Sequence, residues 1–445
     1  MKPPVSAAPA DPGGEKTSAT VPAHATTPTR VRPGYWRLLF ATIALGWLAF
    51  FFLHPQHLIK VGVPHIRVTY GPSKEIHEVW FFDSLAILAS NDAVAAGRDP
   101  YVPNPLDFQN RAHVYGPWWL QLHKLGLTRT DNLRVGLVLG GIFFVTVVWW
   151  LRPRDLRSLL WYLAVFCTTP VLLALERANN DLVIFLLLWP IVPCLLSARP
   201  VAHWFAIGLI AIAADLKFYP AVVGLVLLAI PDPREMRRVI AGALALLALV
   251  VWHLSGDFGR IARLLPTVEG IFTFGAVAGL HELGWQGPWP QLLATLVGVG
   301  VLVGCWRSRV LEGWTPTLVQ RSEWLHFVLG GILLAGCFFS GQNHYYRWIF
   351  ALWLAPLLWS LMQGEGAPSA VRRLARVTGG LLLASIWIDA LCALALSQMH
   401  GVDLLSALHW IFVIEQPVTW AFFICLLLFL AHFGRSGLKT LFARS

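Results

Sequence analysis

The chain of 445 residues is 56% hydrophobic and 13% charged, with a mean hydropathy of +0.62 and a formal net charge of +10. Soluble domains carry about 25% charged residues, so composition excludes a soluble globular enzyme, a disulfide-stapled scaffold and a disordered protein. A polytopic membrane protein remains.

Residues 1–34 are rich in Pro, Ala and Thr and lack apolar periodicity, which reads as a disordered tail. No apolar stretch precedes Trp36, and that stretch is followed by more of its kind, so the start does not read as a signal peptide. Apolar runs follow at 36–53, 134–151, 158–175, 182–198, 201–215, 218–231, 237–254, 289–306, 324–340, 348–362, 377–396 and 417–433. Helix is the economical reading, because a bilayer cannot satisfy the backbone of isolated strands. The pattern therefore predicts an all-α integral membrane domain over 35–433 with about twelve spans (ten to thirteen), and a short tail over 434–445. The short runs between 201 and 231 could instead form one broken helix.

Twelve spans put both termini on one side. Of the 34 Lys and Arg, 21 fall on that side and 13 on the other, which places both termini in the cytoplasm. Basic residues that punctuate spans mark topology rather than nucleic-acid binding. The six Cys lie inside apolar runs without metal-like spacing and read as buried hydrophobes.

With that orientation the polar clusters all face outward: the 54–133 loop, Glu176–Asp181, Asp215–Tyr219, the 256–288 loop and Gly341–Arg347. Such one-sided clustering points to a site at the outer membrane–water interface. A transporter would more naturally hold its polar groups near the midplane.

In the first loop, Asp83 is a single carboxylate flanked by apolar residues on a stretch with helical spacing. On a helix, Asp83, Ser90 and Asn91 share one face, which predicts an interfacial helix with a polar stripe toward a cavity. Asp83 is either a general base or a solvated surface carboxylate. The helix should end at Gly97, since Pro100 blocks continuation, with Asp99 tying down the turn before Tyr101. Tyr115-Gly116-Pro117-Trp118-Trp119 then starts a short apolar helix, whose plainest role is an aromatic anchor.

Glu176-Arg177-Ala178-Asn179-Asn180-Asp181 joins two spans. Asp181 could cap the next helix. Arg177 needs either an anion or a partner such as Glu176 at that depth. In Asp215-Leu216-Lys217-Phe218-Tyr219-Pro220 the proline breaks a helix, and Lys217 could hold a phosphate, pair with Asp215 or snorkel to water. Gly341-Gln342-Asn343-His344-Tyr345-Tyr346-Arg347-Trp348 is the densest group of donors, suited to a sugar, a phosphate or lipid headgroups. No P-loop, dinucleotide turn, HExxH or Cys/His metal pattern occurs, so the sequence calls for no cofactor and no metal.

Taken together these motifs resemble those of the multi-spanning C-type glycosyltransferases, and most closely glycosyltransferase family 87. That family includes polyprenol-phosphate-mannose-dependent mannosyltransferases. Asp83 with the Gly97-Arg98-Asp99-Pro100-Tyr101 turn fourteen residues on, Tyr115-Gly116-Pro117, Arg177 to Asp181, Lys217 to Pro220 and Gly341 to Arg347 carry the likeness. It covers about residues 36 to 362. Glu176-Arg177 departs from the small residue and Gln common in relatives, and the last two spans match nothing in the pattern.

The resemblance implies inverting transfer of a hexose, mannose above all, from a polyprenyl-phosphate sugar to an envelope glycolipid or glycan. Asp83 would be the base. Arg177, Lys217, His344, Tyr345 and Arg347 would bind donor phosphate and sugar, and Asp99, Tyr101, Tyr115, Asn180 and Asp181 would meet the acceptor or shape the loops. The alternatives are a transporter or flippase of a lipid-linked or polar substrate, and a non-catalytic subunit of an envelope-polymer assembly.

Overall fold

The computed structural model describes residues 33–70, 75–264, 273–318, 320–364, 366–396 and 404–442. Residues 1–32 of the expected N-terminal tail lie outside the described residues, as do 443–445.

The architecture is helical throughout. The helices are α1 (Pro33–Leu53), α2 (Phe82–Ala95), α3 (Asn132–Trp150), α4 (Leu156–Phe166), α5 (Thr169–Glu176), α6 (Asn180–Leu188), α7 (Ile191–Leu196) and α8 (Pro200–Lys217). They continue as α9 (Pro233–Leu264), α10 (Ala278–Glu282), α11 (Trp289–Arg307), α12 (Arg321–Ser340), α13 (Ala355–Gln363), α14 (Ser369–Leu396) and α15 (Leu404–Leu441). Among the described residues eight helices are long and apolar enough to cross a membrane, or nine if α4 and α5 make one bent span. The chain is a multi-pass helical membrane protein.

The twelve apolar runs divide cleanly. Eight form single long helices, and the other four are broken. α4 and α5 meet at a 53° bend just before Pro170. α6 and α7 are parted at Pro190, and 218–231 tightens into a 3₁₀ helix over Tyr219–Ala229 with Pro220 at its second position. The run 348–362 splits into a 3₁₀ stretch, Tyr345–Trp353, and α13, which starts with Pro356 at its second position. Each break follows from the missing N–H and fixed φ of proline. The region 201–231 is thus one α-helix followed by a 3₁₀ return, and α15 carries helix through to Leu441 where the sequence reading has a tail.

Two short antiparallel ribbons were not expected. One pairs Ile66–Tyr70 with Glu75–Val79, and the other pairs Thr273–Phe274 with Asn343–His344. Aromatic side chains fill the centre: Phe185, Phe327, Phe338, Trp348, Phe350 and Trp353 are completely or almost completely buried. Leu45, Val145, Leu244, Trp252 and Leu296 stay exposed along the long helices, the pattern of side chains that face lipid.

Candidate active site

The ends of α1, α5, α8 and α12 meet the starts of α3 and α6 at one end of the bundle, and the first loop folds back over them. Proline breaks put free backbone groups there, and the first loop takes them up. The Leu216 carbonyl, left open where α8 ends, accepts from the Gly116 N–H at 3.2 Å and from the Trp119 indole at 3.1 Å. A Cβ on Gly116 would sit 1.6 Å from the Asp215 carbonyl oxygen, so only glycine allows this approach. The Tyr-Gly-Pro motif is therefore a docking point as well as a helix start.

Asp83 lies in the first turn of α2, 7% exposed, and is held from two sides. The Asn179 amide donates to Asp83 Oδ2 at 2.5 Å, and Arg177 Nη1 stands 3.6 Å from Oδ1. The backbone repeats the tie: Phe81 N–H donates to Glu176 O at 2.9 Å and Asp83 N–H to Arg177 O at 3.0 Å. A helix start and an inter-helix turn are thus bonded into one unit.

A cavity of ≈ 440 Å³ opens in front of Asp83, lined also by Phe82, Arg111, Tyr115, Arg177, His344 and Tyr346. Asp83 is the single carboxylate lining it among the described residues. Arg111 stands over the Phe82 ring at 3.5 Å and is neutralised by Asp107, whose Oδ2 accepts from Nη2 at 2.7 Å. His344 stacks on Tyr346 with centroids 5.2 Å apart, and burial pushes its pKa down to about 4. It therefore faces the cavity as a neutral imidazole, not as the cation that phosphate stabilisation by charge requires.

Behind Tyr115 and Tyr346 sits a buried ionic cluster. Lys217 Nζ lies 5.7 Å and 5.4 Å from the two ring centroids. It donates to Asp181 Oδ1 at 2.5 Å and also to Asn180. Tyr219 donates to the same carboxylate at 2.8 Å, while Arg347 Nε stands 3.6 Å from Oδ2 and its guanidinium lies over the Tyr219 ring. Two cations thus share one carboxylate, a positive excess in a region nearly closed to water. Such an excess is costly unless an anion balances it.

Backbone strain gathers at the same place. Among the described residues the non-glycine positions with positive φ are Phe81, Asn110, Ala178 and Phe218. Each lines the cavity or adjoins Asp83, Arg177 or Lys217 by at most two residues. Left-handed backbone costs such residues roughly 1–3 kcal/mol apiece and persists where the surroundings enforce it.

The sequence expectations divide accordingly. Asp83, Arg177, Tyr115 and His344 reach the cavity wall, and Lys217, Asn180, Asp181 and Arg347 form the cluster behind it. Tyr345 does not join them: its ring is fully buried and its hydroxyl donates to Ser385 O at 2.7 Å, while the neighbouring Tyr346 faces the cavity. Asp181 is not the helix cap, since Asn179 accepts from Asp181 N–H at 2.8 Å. Lys217 does not pair with Asp215, which is bound by His253 at 2.8 Å.

Ser90 and Asn91 turn away from the cavity. Their side chains donate to Ala86 O and to Ile87 O and Trp119 O, which fastens the 3₁₀ segment Pro117–Leu125 onto α2. Asp99 accepts from Tyr101 N–H at 2.9 Å and from Arg260, and these bonds hold its carboxyl below the usual range. Tyr101 lies against Arg260 and His113 rather than in the cavity. Both residues clasp the loop to the end of α9.

Asn179, Arg111 and Tyr346 are the site residues that the sequence reading did not select. Asn179 carried one signal, an Asn directly before an apolar helix, but that reports a cap and not a second bond to a carboxylate. Compared with family models, with curated proteins and with solved structures, the chain finds no match.

Proposed function

We propose that the protein is a membrane glycosyltransferase that moves a hexose, mannose above all, from a polyprenyl-phosphate sugar to a glycolipid or glycan acceptor on the external face. The observation that carries this reading is the pairing of one held carboxylate, Asp83, with a buried excess of positive charge at Lys217 and Arg347 behind the same cavity. A base and an anion-stabilising group are the two elements that substitution at an anomeric carbon with a phosphate leaving group requires. The span count of about twelve, cytoplasmic termini and the membrane of the cell envelope belong to the same proposal.

In the reaction, Asp83 takes the proton of the acceptor hydroxyl as its oxygen forms a bond to the anomeric carbon. The bond from that carbon to the phosphate oxygen breaks, and its electron pair leaves with the polyprenyl phosphate. The departing phosphate gains charge and draws on Arg177, with Lys217 and Arg347 beyond the two tyrosine rings. Asp83 then returns its proton to water. Attack from the face opposite the phosphate inverts the anomeric configuration. Asn179 and Arg177 keep the base aimed, and neutral His344 offers a hydrogen bond to the sugar.

The translocator reading gains less from the geometry: a second polar cavity, lined by Arg152, Asp155 and Glu323 among others, lies at the opposite end of the helices, but fully buried Phe185, Phe350 and Trp353 fill the centre between the two. The test is transfer in proteoliposomes from radiolabelled polyprenyl-phosphate mannose to an envelope lipid extract. Labelled glycolipid with inverted anomeric configuration is expected. Movement of the intact donor across the bilayer without transfer would overturn the reading.

A further inference from the structure

Asp83 is held by the Glu176-Arg177 turn, and that turn is itself held by a group on another element. His65, in the segment before the first ribbon, has a side chain 3% exposed and sits between two carboxylates. Its Nδ1 lies 2.6 Å from Glu176 Oε1 and its Nε2 lies 2.7 Å from Glu78 Oε2. The Trp80 ring covers one face at 4.5 Å. Behind Glu78 stands Arg67, 3.2 Å away, and behind Glu176 stands Arg177 Nε at 4.0 Å.

The Nδ1 contact with Glu176 is a hydrogen bond, whereas Nε2 meets Glu78 outside hydrogen-bond geometry. We propose that His65 is a positioning residue for Asp83, acting through the hydrogen bond between its imidazole and Glu176. This inference rests on the reading of Asp83 as the base.

The argument is one of competition for Arg177. Glu176 is 1% exposed and Asp83 scarcely more, and Arg177 stands between the two carboxylates, 4.0 Å from one and 3.6 Å from the other. With that hydrogen bond in place, Glu176 has its own partner and leaves Arg177 to Asp83. With it removed, the nearest donor left to buried Glu176 is Arg177, and Glu176 draws the guanidinium off Asp83. The shift also loads the bonds Phe81 N–H to Glu176 O and Asp83 N–H to Arg177 O, which set where α2 begins. Displacing a reacting group by about 1 Å costs about 10²-fold in rate.

The test compares wild type, His65→Gln, and His65→Gln combined with Glu176→Gln, each as full chain in proteoliposomes. The assay is transfer from polyprenyl-phosphate mannose to the envelope lipid extract. His65→Gln should lower kcat by about 10²-fold with donor KM unchanged, because the base and not the donor site is displaced. The double variant should regain most of the rate, since no unbalanced carboxylate then competes for Arg177. Wild-type kcat in His65→Gln, or a double variant no better than the single one, would overturn the proposal. Amide exchange of the peptide that carries Phe81 and Asp83 gives a readout independent of transfer. It should quicken in His65→Gln and return in the double variant, and unchanged exchange would reject the positioning role. If wild type transfers no sugar, the functional reading falls and this exchange experiment alone decides the role of His65.

Discussion

At the scale of single residues, the arrangement turns on how one aspartate and one cluster divide the work. Arg347 shares Asp181 with Lys217, so its removal leaves a balanced pair and one phosphate partner fewer. A hydrogen bond to a charged group is worth roughly 1.5–3 kcal/mol. Arg347→Ala is therefore expected to weaken binding of a polyprenyl-phosphate sugar by roughly 10–100-fold, measured by calorimetry in detergent. Unchanged affinity would remove Arg347 from the phosphate site. Much of this cluster was legible in the sequence, because a lysine or arginine among apolar runs has few stable fates. The choice between Tyr345 and Tyr346 was not, since adjacent residues on a 3₁₀ turn point about 120° apart and nothing local says which of them is turned to the cavity. His65 and Arg111 were also illegible: each lies in a polar loop, where its partners come from Glu176, 111 residues on, and from the fold of the loop itself.

At the scale of elements, proline positions explain why four apolar runs do not form single helices, and those breaks create the site. The first loop closes on the break after α8 through Gly116, whose Cβ position is occupied by the Asp215 carbonyl. Gly116→Ala forces the loop from α8 and should destabilise the protein by about 3 kcal/mol, read as a lower thermal midpoint in detergent. A midpoint equal to that of wild type would show that the loop docks elsewhere. The runs themselves were visible as hydropathy, but α9, α14 and α15 extend well beyond the apolar stretches that mark them. The 3₁₀ geometry of Tyr219–Ala229 and the two short ribbons were not, because they depend on packing against distant elements rather than on local propensity.

At the scale of the whole molecule, two buried histidines outside the membrane spans give stability a definite pH dependence. Burial pushes both His113 and His344 from an ordinary 6.5 down to about 4, so the folded protein keeps them neutral where the unfolded chain binds protons. Their contribution is full above pH 6.5 and is lost as pH falls toward 4. Asp99, held below the usual carboxylate range, acts in the same direction at lower pH. The thermal midpoint should therefore drop between pH 7.5 and pH 5 in steps set by these groups, about the range in which unperturbed histidines titrate. A fall on acidification no steeper in wild type than in a variant carrying both His113→Asn and His344→Gln would contradict the buried neutral state of the two imidazoles.

The charge distribution works at this scale too: Arg152, Arg154, Arg234, Arg307 and Arg373 lie at the end of the helices opposite the cavity, and Asp83, Glu176 and Asp181 lie at the cavity end. The direct test of the central idea separates binding from chemistry at Asp83. Purified Asp83→Asn, folded and inserted as wild type is, should bind polyprenyl-phosphate mannose with wild-type affinity and lose at least about 10²-fold in transfer rate, the share of catalysis a positioned base supplies. Transfer by Asp83→Asn at the wild-type rate would mean that this carboxylate is not the base.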